Sequence, residues 1–354
     1  MRSAPLDALV VTSLPNVAYL TGLFASAASV VITADRFWLI TDGRYLGTAQ
    51  PLVADLPGVE LVLAPASRPF DTNLVDTLAA VGKGRVGFES VHLTVRRHAD
   101  LVSGVARQHL ACDLVPVEGL VERLRMVKDD WELAVLAEAG GRLSDVAKCI
   151  IPKALAGMRE RDVAAVIEAE LRRAGFDKPA FDTIVASGPN SAVPHYRAGD
   201  RVLTSGDLVV MDFGGMFRGY AVDLTRTVTL GPATERQRQV MEGVAAAQAA
   251  AFAVIREGVP ATEIDRGARE AMAQAGLAEA FGHGTGHGLG LEVHERPRVA
   301  PFRAELPGEP LQPGMVFTIE PGAYFPDWGG ARIEDDAALT TDGAVWLTDV
   351  PRLW

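Results

Sequence analysis

Four carboxylates and one imidazole stand between residues 212 and 334, each in or beside a stretch that reads as a strand or a tight turn: Asp212, Asp223, His287, Glu320 and Glu334. Asp212 closes the apolar run Leu208–Met211, and Asp223 opens Asp223-Leu-Thr-Arg-Thr227. Glu320 ends Phe317-Thr-Ile-Glu320 before Pro321-Gly322, and Glu334 sits in Arg332-Ile-Glu-Asp335. His287 lies in His283-Gly-Thr-Gly-His287-Gly-Leu-Gly-Leu-Glu-Val-His294. Carboxylates drawn together out of water need cations to offset them, so a fold that gathers this set is a fold built around metal. The absence of thiolate favours hard or borderline divalent ions, manganese first, with cobalt or zinc as alternatives. Two such ions a short distance apart permit a bridging carboxylate and a bridging hydroxide, which is hydrolase chemistry.

Taken singly, each of these residues has an ordinary explanation. A lone Asp is usually exposed, and a strand-end Glu or an Arg332–Glu334 surface pair is unremarkable chemistry. The runs Leu208–Asp212 and Asp223–Leu230 flank Gly214-Gly-Met-Phe-Arg-Gly219-Tyr, which suits a hairpin or nearby turn and would set Asp212 beside Asp223. Strand alternation then aims Asp223, Thr225, Thr227 and Thr229 one way, with Thr225 placed to support a ligand. The glycines at 284, 286, 288 and 290 are not a dinucleotide loop, because position 289 is Leu and no strand clearly leads in. Nor is this a zincin helix: there is no His-Glu pair and the glycines oppose helix formation. They let the backbone approach a ligand closely and leave His283, His287 and His294 as the polar side chains.

At 354 residues two domains are expected. Strand-like runs at Ala8–Thr12, Ser29–Thr33, Phe37–Thr41 and Arg85–Phe88, with a helix over Asp71–Val81, give an α/β domain. A change near Leu120 is followed by Asp129 or Asp130 as an N-cap and by Trp131, Leu133, Val135, Leu136 and Leu143 at helical spacing up to Pro152. The division is placed within 121–127, giving domains 1–124 and 125–354. Helices are expected near Glu160–Ala174, Thr234–Arg256 and Ala261–Ala275, and β structure around Met315–Ile319 and Arg332–Leu339. A net charge of −11 argues against nucleic acid or an anionic membrane as partner. Asp7 interrupts the place a leader's apolar stretch would occupy, and Val244–Ile255 is too short to span a bilayer. Two cysteines, Cys112 and Cys149, make no disulfide framework, and a reducing cytoplasm is the expected location.

The ligand set, in this order and these contexts, resembles the pita-bread metallopeptidases, which include methionine aminopeptidase, aminopeptidase P, prolidase and the metal-free creatinase. His195 in Pro194-His-Tyr196, His294 followed by Glu295, and the extra N-terminal domain resemble the proline-specific branch. The resemblance covers essentially the whole chain. It implies a creatinase-like α/β N-terminal domain plus an α+β pita-bread catalytic domain, two divalent ions per chain and a homodimer acting on short proline-containing peptides. It further implies Asp223 on one ion and His287 on the other, Asp212 and Glu334 bridging, and Glu320 completing the second ion's shell. A bridging hydroxide would attack the carbonyl before proline, with Glu320 accepting its proton. His195 and His294 would bind substrate and steady the oxyanion, His283 would lie near the leaving side, and Arg332 would orient carboxylates. Arg44, in Thr41-Asp-Gly-Arg-Tyr45, resembles a segment near a partner's active-site mouth and could meet a substrate carboxylate; alternatively Asp42 caps a helix and Arg44 is solvated in its first turn. The first reading is an Xaa-Pro dipeptidase, the second an aminopeptidase P for longer peptides, and the third a non-catalytic peptide- or protein-binding module.

Overall fold

The computed structural model describes residues 5–352, so the first four residues of the segment weighed as a leader lie outside it. The chain divides into two compact units, Met1–Arg123 and Leu124–Trp354. The first unit runs β1 (Ala8–Val11), α1 (Leu14–Thr21), β2 (Ala28–Thr33), β3 (Phe37–Asp42), α2 (Leu46–Asp55), β4 (Val59–Ala64), α3 (Phe70–Val81), β5 (Gly84–Glu89), α4 (Val95–Arg107) and β6 (Cys112–Val117). Its sheet has the order β4-β3-β2-β1-β5-β6, with β1 antiparallel to β2 and parallel to β5. Alternate residues feed opposite faces: Val10 and Val31 pack with Leu74 and Leu78, while Val11 and Val30 pack with Val17 and Ala49. Burial on both faces is why these strands read as unbroken apolar runs. The two strands that sequence reasoning missed, β4 and β6, are the edges. They are half-covered and carry Glu60, Asp113 and Pro116, residues that dilute a strand signal.

α5 (Leu120–Arg125) crosses the division, and in the second unit Asp129 caps α6 (Asp130–Ile150) in a reciprocal box with Glu132. Val135, Leu136 and Leu143 are buried as expected, but Trp131 is 57 % exposed and meets Tyr220 edge-on. There follow α7 (Glu160–Arg173), β7 (Lys178–Pro179), β8 (Ile184–Ser187), β9 (Leu208–Phe217), β10 (Tyr220–Thr229), α8 (Glu235–Val254) and α9 (Ala261–Gln274). The remaining strands are β11 (Gly286–Gly288), β12 (Glu295–Val299), β13 (Val316–Ile319), β14 (Gly322–Phe325), β15 (Gly329–Arg332), β16 (Asp335–Thr340) and β17 (Gly343–Trp346). β7 and β8 both pair with β9, beside β10; a second sheet runs β12-β11-β13-β16-β17, and β14 pairs with β15 alone. Helices α6 and α7 share a core with β9 and β10, through Leu136, Ile167, Phe213 and Val222. Helices α8 and α9 share another with the second sheet, through Val244, Ile264, Phe317 and Ala337. Among the described residues no helix is long and apolar enough to cross a membrane, and both cysteines are unpaired.

Two local expectations need correction. The β9–β10 turn is not the Gly214–Gly219 stretch as a whole, because β9 continues through both early glycines. They serve close packing: a Cβ on Gly214 would collide with the Val222 carbonyl and Phe181, and one on Gly215 with the Phe176 ring. The turn is only Arg218-Gly219, both at positive φ (51° and 85°), as a two-residue hairpin loop of matching twist requires. The run Arg332–Leu339 is likewise not one strand. Arg332 ends β15, β16 begins at Asp335, and between them the Glu334 N–H turns away to the Thr225 carbonyl at 3.1 Å.

Candidate metal centre

The hairpin register sets Thr225 opposite Asp212 and Asp223 opposite Gly214, so both acidic residues and the threonine share one face near the middle of the same two-stranded unit. Asp212 and Asp223 are buried, at 8 % and 5 % exposure. Thr225 Oγ1 donates to Glu334 Oε2 at 2.6 Å and accepts from Arg332 Nε at 3.2 Å, which ties Glu334 to the hairpin. Arg332 in turn donates through Nη2 to Asp212 Oδ2 at 2.6 Å and through Nη1 to the Tyr324 hydroxyl at 2.6 Å. Burial works against the Arg332 charge, but Tyr324, Asp212, Glu320 and Glu334 hold it protonated.

His287 lies on β11, the strand formed by the glycine-rich segment. Gly284, Gly286, Gly288 and Gly290 sit at every second position. Side chains there would collide with Ala300, with the Thr318 and Arg296 carbonyls, and with the Glu295 carboxylate. The close approach that these glycines permit is therefore to the chain's own neighbouring strands. The alternate positions carry the chemistry. His287 Nδ1 faces the Gly288 carbonyl at 3.1 Å, which leaves Nε2 turned to Glu320 Oε1 at 3.5 Å. Glu320, at the end of β13, is anchored by its own N–H on the Thr285 carbonyl at 2.7 Å.

One cavity of about 270 Å³ is lined by all five of these residues together with His195 and His294, the apolar Phe181, Ile184 and Val293, and the rim residues Asp182, Tyr196 and Arg197. Donor atoms of Asp223, His287 and Glu334 lie within 4.8 Å of one another. Asp212 Oδ1, Asp223 Oδ1 and Glu334 Oε1 are buried with no hydrogen-bond partner. Buried carboxylate oxygens are rarely left so. Burial, then the neighbouring acids, pushes Asp223 and Glu334 well above the carboxylate range, and burial lifts Glu320 to about 8. His287 is pushed down to about 4 by burial and by His294, whose ring centroid is 4.2 Å away. Protonated acids, a neutral imidazole and orphaned oxygens are what divalent cations would resolve, and the donor set fits them.

The pH dependence follows with a definite sign. Glu320 has a folded value near 8 against an ordinary 4.5, so its contribution to the stability of metal-free protein is complete at low pH and disappears as pH rises from about 4.5 through about 8. Ions would displace that proton. Metal-free protein should therefore lose melting temperature across this window relative to metal-loaded protein, and ion binding at pH 7 should release protons, read by calorimetry in buffers of different ionisation enthalpy. Binding that releases none would contradict the arrangement.

Not every expected site residue lines the cavity. His283 and Arg332 stand behind it, joined through Tyr324, whose hydroxyl lies 3.1 Å from His283 Nε2. Burial holds His283 near 4. Arg44 is exposed in the other unit. Asp42 Oδ1 accepts from the Arg44 N–H at 2.9 Å, so Asp42 caps the short turn Gly43–Tyr45, and Arg44 Nη2 pairs with Asp42 Oδ2 at 2.7 Å. Sequence reasoning missed Tyr324, Arg226 and Asp336. Arg226 is 3 % exposed and clips the Thr225 and Glu334 carbonyls (2.9 and 2.7 Å), while Asp336 Oδ2 accepts the Asp223 N–H at 3.0 Å. Arg226 sits inside the Asp223–Thr227 motif, a usable signal; Tyr324 and Asp336 carry none.

Comparison with known proteins identifies the family. Residues 135–341 match metallopeptidase family M24, and residues 1–127 match the creatinase/prolidase N-terminal domain. The uncharacterized peptidase YqhT of Bacillus subtilis is 38% identical over 347 residues, covering 98% of this chain and 95% of that one. The Xaa-Pro dipeptidase from Bacillus anthracis superposes with a TM-score of 0.89 at 32% identity, covering 98% and 94% of the two chains. The X-Pro aminopeptidase from Thermotoga maritima MSB8 superposes with a TM-score of 0.86 at 31% identity, covering 98% and 96%. With its matched N-terminal domain and a matched stretch that covers more than half of the chain, this chain belongs to metallopeptidase family M24.

Proposed function

We propose that this protein is an Xaa-Pro dipeptidase that uses two divalent ions, manganese first, with Asp212, Asp223, His287, Glu320 and Glu334 as ligands. One observation carries the reading: all five residues and two histidines open on one cavity of about 270 Å³, just under the roughly 300–1,000 Å³ of sites for drug-sized ligands. Bound ions would supply a nucleophile from water at neutral pH and polarise the scissile carbonyl. The closeness of Asp223 to His287 and Glu334 supports these three as neighbouring donors, and Asp212, with one oxygen accepting from Arg332, and Glu320 would complete the set that holds the ions.

The chain's own groups divide the remaining work. The Glu320 carboxylate accepts the proton of the attacking water and returns it to the leaving proline nitrogen. Burial, aided by His195, keeps His294 below the usual histidine range, so a neutral ring offers one N–H to the developing oxyanion, with His195 as the second donor. Arg332 orients Asp212 and, through Thr225, Glu334. His283 backs the leaving side by way of Tyr324. The working form is a homodimer in a reducing cytoplasm, a reading in keeping with two unpaired thiols.

The likeness to the Thermotoga X-Pro aminopeptidase keeps removal of the first residue from longer peptides as the second reading. Turnover of Ala-Pro against Ala-Pro-Ala tests the choice: preference for the tripeptide would overturn the dipeptidase assignment. Retention of all five ligands leaves a non-catalytic module without support. In the proposed dimer Arg44, already oriented by Asp42, meets the substrate carboxylate. Arg44→Ala should then raise KM for Xaa-Pro dipeptides far more than for tripeptides, with metal content and dimerisation unchanged; an equal effect on both lengths would assign Arg44 a structural role.

A further inference from the structure

The segment Glu292–Glu295 carries His294 to the cavity and is gripped by charges that lie out of water. Glu295 Oε1 accepts from Lys128 Nζ at 2.7 Å, and Oε2 from Arg125 Nη2 at 2.5 Å. Side-chain exposure is 6 % for Glu295, 2 % for Arg125 and 0 % for Lys128. The same Arg125 nitrogen donates to Glu292 Oε2 at 2.8 Å, so the carboxylates on both sides of His294 share one guanidinium. Gly290 leaves the room for this, because a Cβ there would overlap the Glu295 carboxylate. Lys128 is itself fixed by its backbone N–H on the Gly314 carbonyl at 2.9 Å.

A buried ionic cluster is a poor source of stability, since desolvation offsets most of the attraction and apolar side chains of equal volume do as well. What it supplies is a single geometry, because each charge has one arrangement that satisfies it. None of the three residues lines the cavity, yet they fix the chain on either side of the histidine that does.

We propose that Arg125, Lys128 and Glu295 form a positioning clamp for His294, through which the rate of hydrolysis depends on residues that never meet substrate. The proposal rests on the reading of His294 as an oxyanion donor.

The test uses the charge-balanced pair Lys128→Met with Glu295→Gln, which leaves no buried charge alone and so keeps the fold. This variant should retain wild-type metal content, melting temperature and KM for Ala-Pro, while kcat falls about 10- to 100-fold, the scale of a displacement of roughly 1 Å. In a His294→Ala background the same pair should cost nothing further, since the clamp acts through that ring. An undiminished kcat in the pair, or its full loss repeated without His294, would overturn the clamp. If His294→Ala alone leaves kcat intact, the oxyanion reading is what fails. The clamp is then judged by ¹³C relaxation of the His294 imidazole: greater ring mobility in the pair supports it, and unchanged mobility overturns it.

Discussion

Asp223→Ala should abolish measurable turnover of Ala-Pro and at the same time leave the metal-free protein no less stable than the wild type. The two effects share a cause. Without ions, Asp223 is a buried acid pushed upward by desolvation, by Asp212 and by Asp336, with one oxygen lacking any partner. Its removal relieves the metal-free fold. With ions, it would be a donor beside His287 and Glu334, whose donor atoms lie within 4.8 Å of its own, and its loss would take that donor away. Residues that merely support metal ligands cost about 10–100-fold when changed, so a direct ligand should cost more than about 100-fold. Metal content should fall in parallel, and the rise in melting temperature on adding Mn²⁺ should shrink or vanish. His287→Ala should behave alike in activity and metal content. Full metal content with activity lost would remove Asp223 from the ligand set, and full activity in metal-free protein would end the metal mechanism altogether.

His294→Ala should separate rate from metal. The ring lines the cavity beside His287 and is read as a donor to substrate, so ion content should stay at wild type while kcat drops about 10²–10³-fold, the usual loss for one oxyanion donor. Because the donor acts on charge that develops in the transition state, the loss should fall on kcat more than on KM. A variant that instead loses metal and keeps its rate per bound ion would make His294 a ligand or a support.

Much of this site was legible because its proposed ligands sit at changes of local pattern: Asp212 where an apolar run stops, Glu320 before Pro-Gly. Their convergence is non-local and has no sequence signal of its own. The Thr225–Glu334 hydrogen bond joins residues far apart in the chain, and the break after Arg332 was invisible because Ile333 keeps the strand pattern going. Glycine misled twice for one reason. At Gly214, Gly215 and the 284–290 series it accommodates neighbouring backbone and rings, and composition alone does not distinguish that use from a turn or a ligand cradle. In the N-terminal unit the central strands show in their apolar runs, whereas the edge strands β4 and β6, diluted by Glu60, Asp113 and Pro116, give no clear signal. Tyr324 links His283 to Arg332 through contacts that exist only once β14 pairs with β15.

Asp212 and Asp223 meet across a two-residue loop, whereas Glu334 reaches Thr225 over a separation of 109 positions. Hairpins close in about 1–10 μs, and pairings between distant strands form much more slowly. A refolding chain therefore presents two acidic side chains early and the rest of the set late. An ion that arrives in the interval meets too few donors to stay. Metal capture should accordingly be the closing event of refolding, and uptake followed in a stopped-flow experiment should track the docking of β16, not the birth of the hairpin.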